Sequence, residues 1–247
     1  MIVIHIDSQK DTAFLKKCYD KVEGAIVLYN PTKAEVNKCL EEHPEDDVMM
    51  LGHGSSSGLF SVDWKGNIID YSNANLLKGR NCIGIWCYAK NFARQYGLKG
   101  YFTNMFISNA GEARSFGYKA TEEEVFNEVA FFAGAVNTLI LDSVPYEEWV
   151  EKLQGIANMD KDFVNFNYSA MEYFDGTQEP IKTSSYAFSE YLPRDFAYDY
   201  EDTSDAEVDG YFEDYCYEHD IRGDWAREIA YPIFVAGWNA NKMATEM

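Results

Sequence analysis

The chain has 247 residues, enough for one large domain or one domain with an appendage, and its 47% hydrophobic and 25% charged content is that of a globular protein. With 21 Lys and Arg against 41 Asp and Glu the net charge is −20, which argues against a surface for nucleic acid or anionic membrane. The charge is uneven: residues 1–142 hold 14 basic and 18 acidic groups, and residues 143–247 hold 7 and 23.

In chain order, Ile2–Ile6 is a β-branched run that ends at Asp7-Ser8. Residues 11–22 place Phe14, Leu15, Cys18 and Val22 at helical spacing. Ala25–Tyr29 predicts a second strand, closed by Asn30-Pro31. Thr32 is a good N-cap for a helix over 33–42. Val48–Leu51 predicts a third strand, stopped by Gly52-His53-Gly54. Residues 58–71 predict a hairpin turning at Lys65-Gly66-Asn67. Cys82–Trp86 is another strand, followed by a helix near 89–96, a strand over Gly100–Ile107 and a long buried helix over Glu122–Leu141. The apolar part of that helix, 129–141, is too short to span a bilayer. Residues 146–175 look partly helical, 176–195 loop-like, and 223–243 helical with Trp225, Ile229, Ile233 and Phe234 buried.

Alternating strands and helices predict βαβ units and a mostly parallel sheet. The expected organisation is an α/β domain over 1–142 and an acidic, largely helical region over 143–247. Five cysteines at irregular spacing make no disulfide framework and point to reduced thiols in a cytoplasm. The start, MIVIHIDSQK, lacks the basic n-region of a leader.

In parallel sheets, sites form outside the carboxyl ends of strands. Two apolar strands deliver reactive side chains there: His53-Gly54 after one and Cys87 after the other, with the hairpin between them. A thiolate is the attacking form of cysteine, and a neighbouring imidazole takes or holds its proton. The N–H groups of Gly54 and Cys87 would together make an oxyanion hole.

An apolar strand ending in His-Gly, then an apolar strand ending in Cys, resembles clan CD cysteine peptidases: caspases, metacaspases, legumain, gingipain and bacterial caspase-like proteins. The resemblance covers roughly residues 1–142. It implies a caspase-like three-layer α/β sandwich and an endopeptidase with His53 as acid/base, Cys87 as nucleophile and Gly54 as oxyanion donor, needing no cofactor. Ile85-Trp86-Cys87 departs from the family in lacking a small residue and an acidic residue before the cysteine, and the Gln-Ala-Cys-x-Gly of caspases is absent. The resemblance also puts the pocket for the residue before the scissile bond at Asp7-Ser8 and Ser108-Asn109 with Glu112. Asp7 and Glu112 would favour a Lys or Arg side chain there. Alternatively, Asp7 caps the following helix and Glu112 lies in a solvated loop.

Three rival readings arise. Gly54-Ser55-Ser56-Ser57-Gly58 matches the serine-hydrolase elbow, with Ser56 as nucleophile, but that motif needs a helix directly after it. Asp205, Glu207 and Asp209 start like a Ca²⁺ loop whose twelfth position is Cys216 instead of Glu. Cys216 and His219 have metal-ligand spacing without a second pair. The alternative class is a catalytically silent interaction protein whose acidic surface binds a basic partner or imitates nucleic acid.

Overall fold

In the computed structural model, which describes residues 1–7 and 10–178, the chain begins with β1 (Ile2–His5), a 3₁₀ stretch (Lys10–Cys18), β2 (Ile26–Tyr29) and α1 (Lys33–Glu42). Next come β3 (Val48–Leu51), the short strands β4 (Gly54–Ser55), β5 (Gly58–Phe60) and β6 (Asn67–Ile69), then β7 (Asn81–Ile85) and α2 (Ala89–Tyr96). They are followed by β8 (Lys99–Phe102), α3 (Ala110–Ser115), α4 (Glu122–Leu141), α5 (Trp149–Ile156), α6 (Asp162–Ser169) and β9 (Glu172–Asp175).

The fold is α/β. Six strands form one sheet in the order β2-β1-β3-β7-β8-β9, parallel except for β9, which runs antiparallel to β8. β4, β5 and β6 make a separate three-stranded antiparallel sheet. β1 and β3 are buried at every position because helices cover both faces. One face packs Val3, Met49, Leu51, Ile83 and Tyr101 against the 3₁₀ stretch, α3, α4, α5 and α6. The other packs Ile4, Met50, Cys82 and Phe102 against α1, α2 and the small sheet. This layering fits a three-layer sandwich.

Local sequence explains several boundaries. Thr32 and Glu35 form a capping box on α1, and Thr121 and Glu124 form one on α4. Each satisfies two orphan donors of a helix end. α4 has the length and hydropathy of a membrane span, yet Val125, Val129, Phe132, Ala133 and Val136 are buried in the first core cluster, as in a core helix.

Some expectations change. The segment after β1 is a 3₁₀ stretch over Lys10–Cys18, not a helix over 11–22, with Leu15 and Cys18 buried. The strand expected over 100–107 stops at Phe102: Thr103 N–H makes the last ladder bond, to Gly84 O at 3.0 Å, and the Thr103 carbonyl, which would continue the pairing with β7, accepts from Lys90 N–H at 2.8 Å instead. The compositional boundary at residue 142 does not interrupt the packing. Among the described residues, α5, α6 and β9 belong to the same compact unit as β1 through β8. The expected helix over 223–243 and the acidic stretch 195–220 lie outside the described residues.

Gly100 shows how tightly β8 meets β7. Its φ is +129°, and a Cβ there would lie 1.9 Å from Cys82 O. Gly100→Ala is expected to destabilise the fold by about 3 kcal/mol or more, read from the urea midpoint, because the obstacle is backbone that cannot rotate away.

His5 supplies a pH dependence. It is fully buried, its Nδ1 is 2.8 Å from the Tyr19 hydroxyl, and its Nε2 is buried without a partner. Burial lowers its pKa below the ordinary 6.5, so the unfolded chain binds this proton more readily than the folded one. Stability from His5 is therefore complete above pH 6.5 and lost as pH falls below it. Urea midpoints between pH 7.5 and 5.5 should fall, with a slope contribution of up to about 1.4 kcal/mol per pH unit, and should fall less in His5→Gln.

Candidate active site

Strand order reverses at β1, which has β2 on one side and β3 on the other. The crevice for ligands in such sheets opens at the carboxyl ends of these strands. The register pairs His5 with Leu51 and Leu51 with Ile85. Pairing continues one step further: Ile6 N–H donates to Leu51 O at 2.8 Å, and Gly52 N–H to Ile85 O at 3.2 Å. Asp7, His53 and Cys87 each follow these paired positions at the same offset, on three adjacent parallel strands. Two sequence-distant groups, His53 and Cys87, thus reach the same end of the sheet.

Cys87 differs from the other described cysteines. Cys18, Cys39 and Cys82 are buried, whereas Cys87 is part-exposed, with its Sγ 4.0 Å from Phe106 O. Burial raises the Cys18 and Cys39 thiols and pushes Cys82 up to about 12, which leaves them poor nucleophiles. Cys87 directly precedes Tyr88, the N-cap of α2, held at φ +67°. Thr103 fixes the approach: its Oγ1 donates to Trp86 O at 2.9 Å, and Lys90 N–H donates to Thr103 O at 2.8 Å.

His53 is 7% exposed and its ring lies 4.9 Å from that of Trp64, tilted by 36°. Its carbonyl accepts from Phe60 N–H at 2.9 Å. That bond makes Gly54 and Leu59, which face each other, a non-hydrogen-bonded pair. The Gly54 N–H therefore points away from β5, as an oxyanion donor requires. Gly54 has no room for a side chain: a Cβ would lie 2.2 Å from Trp86 Cδ1 and 2.5 Å from Gly58 O. Trp86 is 2% exposed and donates from Nε1 to Ser55 O at 3.1 Å, locking β4 to the end of β7.

The expected specificity residues are differently employed. The Asp7 carboxylate accepts from the Tyr29 hydroxyl and, at 3.2 Å, from Thr12 Oγ1. Ser8 lies outside the described residues. Glu112 is not in a solvated loop. It is 6% exposed within α3, and its carboxylate accepts from Ser108 N–H at 2.6 Å and Ser108 Oγ at 3.0 Å, while Asn109 Oδ1 accepts from Glu112 N–H at 2.9 Å. This is an end-capping arrangement for a helix start. Asn167 of α6, fully buried, clamps Ile107 through 2.7 Å and 3.0 Å bonds and so sets where Ser108 begins.

The elbow serine reading loses its context. Ser56 sits in the turn between β4 and β5, and a strand rather than a helix follows. Ser55 and Ser57 bond each other there at 2.7 Å. Asp205, Glu207, Asp209, Cys216 and His219 lie outside the described residues. Among the described residues no group of three His, Cys, Asp or Glu is placed to hold a metal ion. Sequence reasoning missed Trp64, Thr103 and Asn167. Of these only Trp64 carried a signal, a large aromatic between Asp63 and Lys65 in a polar turn. No family model matches the chain, and no curated protein shows significant similarity to it.

Proposed function

We propose that the chain is a cysteine endopeptidase of caspase-like, clan CD type, acting in the cytoplasm on peptide or protein substrates. The observation that carries this reading is the adjacency of β3 and β7 in parallel register, which brings His53 and the part-exposed Cys87 to one end of the sheet. In the mechanism, the Cys87 thiolate attacks the scissile carbonyl carbon and the carbonyl electrons move onto oxygen. The N–H groups of Gly54 and Cys87 receive that oxyanion, a contribution of about 3–4 kcal/mol where such donors have been removed. Collapse breaks the C–N bond, and His53 gives its proton to the leaving amine. Water, deprotonated by His53, then cleaves the thioester and restores thiol and imidazole.

Asp7 contributes a carboxylate at the end of β1. Glu112 is committed to capping α3, so Asp7 is the carboxylate that favours a Lys or Arg side chain before the cleaved bond. A peptidyl-coumarin panel varied at that position tests both parts: cleavage restricted to basic residues supports the pocket, and no cleavage of any member overturns the peptidase.

The second reading is a catalytically silent scaffold whose acidic surface engages a basic partner. It is favoured by the net charge of −20 and by the occupation of both expected pocket carboxylates with hydrogen bonds inside the fold.

A further inference from the structure

The hairpin that follows His53 turns back over it. Trp64, between β5 and β6, lays its indole 4.9 Å from the His53 ring at 36°, and Phe60 supports the indole at 5.4 Å. An imidazolium within about 6 Å of an indole face is attracted by the ring quadrupole, most strongly for Trp among the aromatic side chains. The contact is held at a conformational cost. Trp64 has φ +59°, a region bulky side chains rarely adopt. The same turn contains Gly66, where a Cβ would meet nothing within 4 Å. The turn thus puts its tryptophan at the left-handed position and its glycine where a larger residue would fit. Strained residues of this sort persist where surrounding structure fixes them, and they cluster at functional sites.

The turn is built to keep that geometry. Ser61 N–H donates to Gly66 O at 2.7 Å and Trp64 N–H to Ser61 O at 3.0 Å. The Asp63 carboxylate accepts from Ser61 Oγ at 2.7 Å and Lys65 N–H at 3.2 Å. The β5 strand is also tied to His53 itself through Phe60 N–H.

We propose that Trp64 is a positioning residue for His53: its indole fixes the imidazole plane, so that the ring is held in the orientation that pairs it with the Cys87 thiolate. This rests on the His53/Cys87 reading above. The other titratable groups of the described residues on the surrounding elements are His5 and Asp7 of the β1 end, Cys87 of the β7 end, and Asp63 with Lys65 in the hairpin, the last two paired at 3.9 Å. A substitution at Trp64 leaves all of them in place.

The test measures iodoacetamide alkylation of Cys87 from pH 4.5 to 9, residue by residue by mass spectrometry, in the full chain carrying Cys216→Ser. Trp64→Phe keeps an aromatic face and should retain the low-pH limb. Trp64→Leu keeps apolar cover without that face, and should move the limb up by about half a pH unit or more, a threefold loss of rate near its midpoint. Superposition of the Leu and parent profiles overturns the proposal, as does an equal shift in Phe and Leu. If Leu also exposes Cys18 and Cys82 to alkylation it has unfolded, and Trp64→Met, linear and without the Cγ branch of Leu, makes the same comparison. Failure of the dyad itself reads differently: Cys87 then alkylates no faster than Cys18 or Cys39 in the parent, which overturns the peptidase reading and this inference with it.

Discussion

Cys87→Ala should lower hydrolysis of a peptide with a basic residue before the cleaved bond by at least about a thousandfold, the scale of a lost nucleophile. Cys87 is half-buried at the surface end of a strand, so the substitution removes little packing and the urea midpoint should stay near that of the parent. In the parent, iodoacetamide at neutral pH should modify Cys87 at least tenfold faster than Cys18, Cys39 or Cys82, since these three are buried and their thiols are raised. The two measurements answer separate questions. Fast labelling without turnover would mean an activated thiol in a protein that is not a peptidase. Labelling at the rate of the buried thiols would remove the chemical basis of the site.

Gly54→Ala is expected to have the next largest effect. The added methyl meets Trp86 Cδ1 at 2.2 Å and Gly58 O at 2.5 Å, so either the indole or the β4–β5 turn must move. Overpacking of this kind costs about 1–3 kcal/mol. Because the same shift carries the Gly54 N–H away from the oxyanion position, kcat should fall about 100-fold or more. Alkylation of Cys87 needs no oxyanion donor and should change far less. Equal losses in kcat and alkylation would assign Gly54 a packing role and deny it the oxyanion.

The two effects share one cause. Trp86 directly precedes Cys87, and its indole fills the space that a side chain at position 54 would take. A glycine at 54 therefore answers to two demands, close packing and an available N–H. In the proposed mechanism only the second is catalytic, and comparing kcat with alkylation separates them.

Local signals in the sequence mark the five parallel strands of the sheet and most of its helices, while β9 lies in a segment whose pattern reads as partly helical. Continuous apolar runs such as Val48–Leu51 mark strands buried on both faces, and Thr32 and Thr121 mark helix starts through local hydrogen bonds. These signals are encoded within a short stretch of chain, so they are legible without the fold. The candidate pair was legible for the same reason: His53-Gly54 and Cys87 each follow an apolar strand.

Tertiary structure alone decided the rest. Adjacency of β3 and β7 depends on pairing between segments that the whole small sheet separates in sequence. The capping role of Glu112 depends on where Asn167, far later in the chain, holds Ile107. The packing of α5, α6 and β9 with the preceding strands and helices runs against the compositional boundary, because burial follows apolar faces such as Trp149, Leu153 and Phe163, not net charge. Trp64 reaches His53 only because a hairpin folds back on its own strand. Contacts of this kind leave no period and no motif in the chain; they follow from which surfaces the packed sheet brings together.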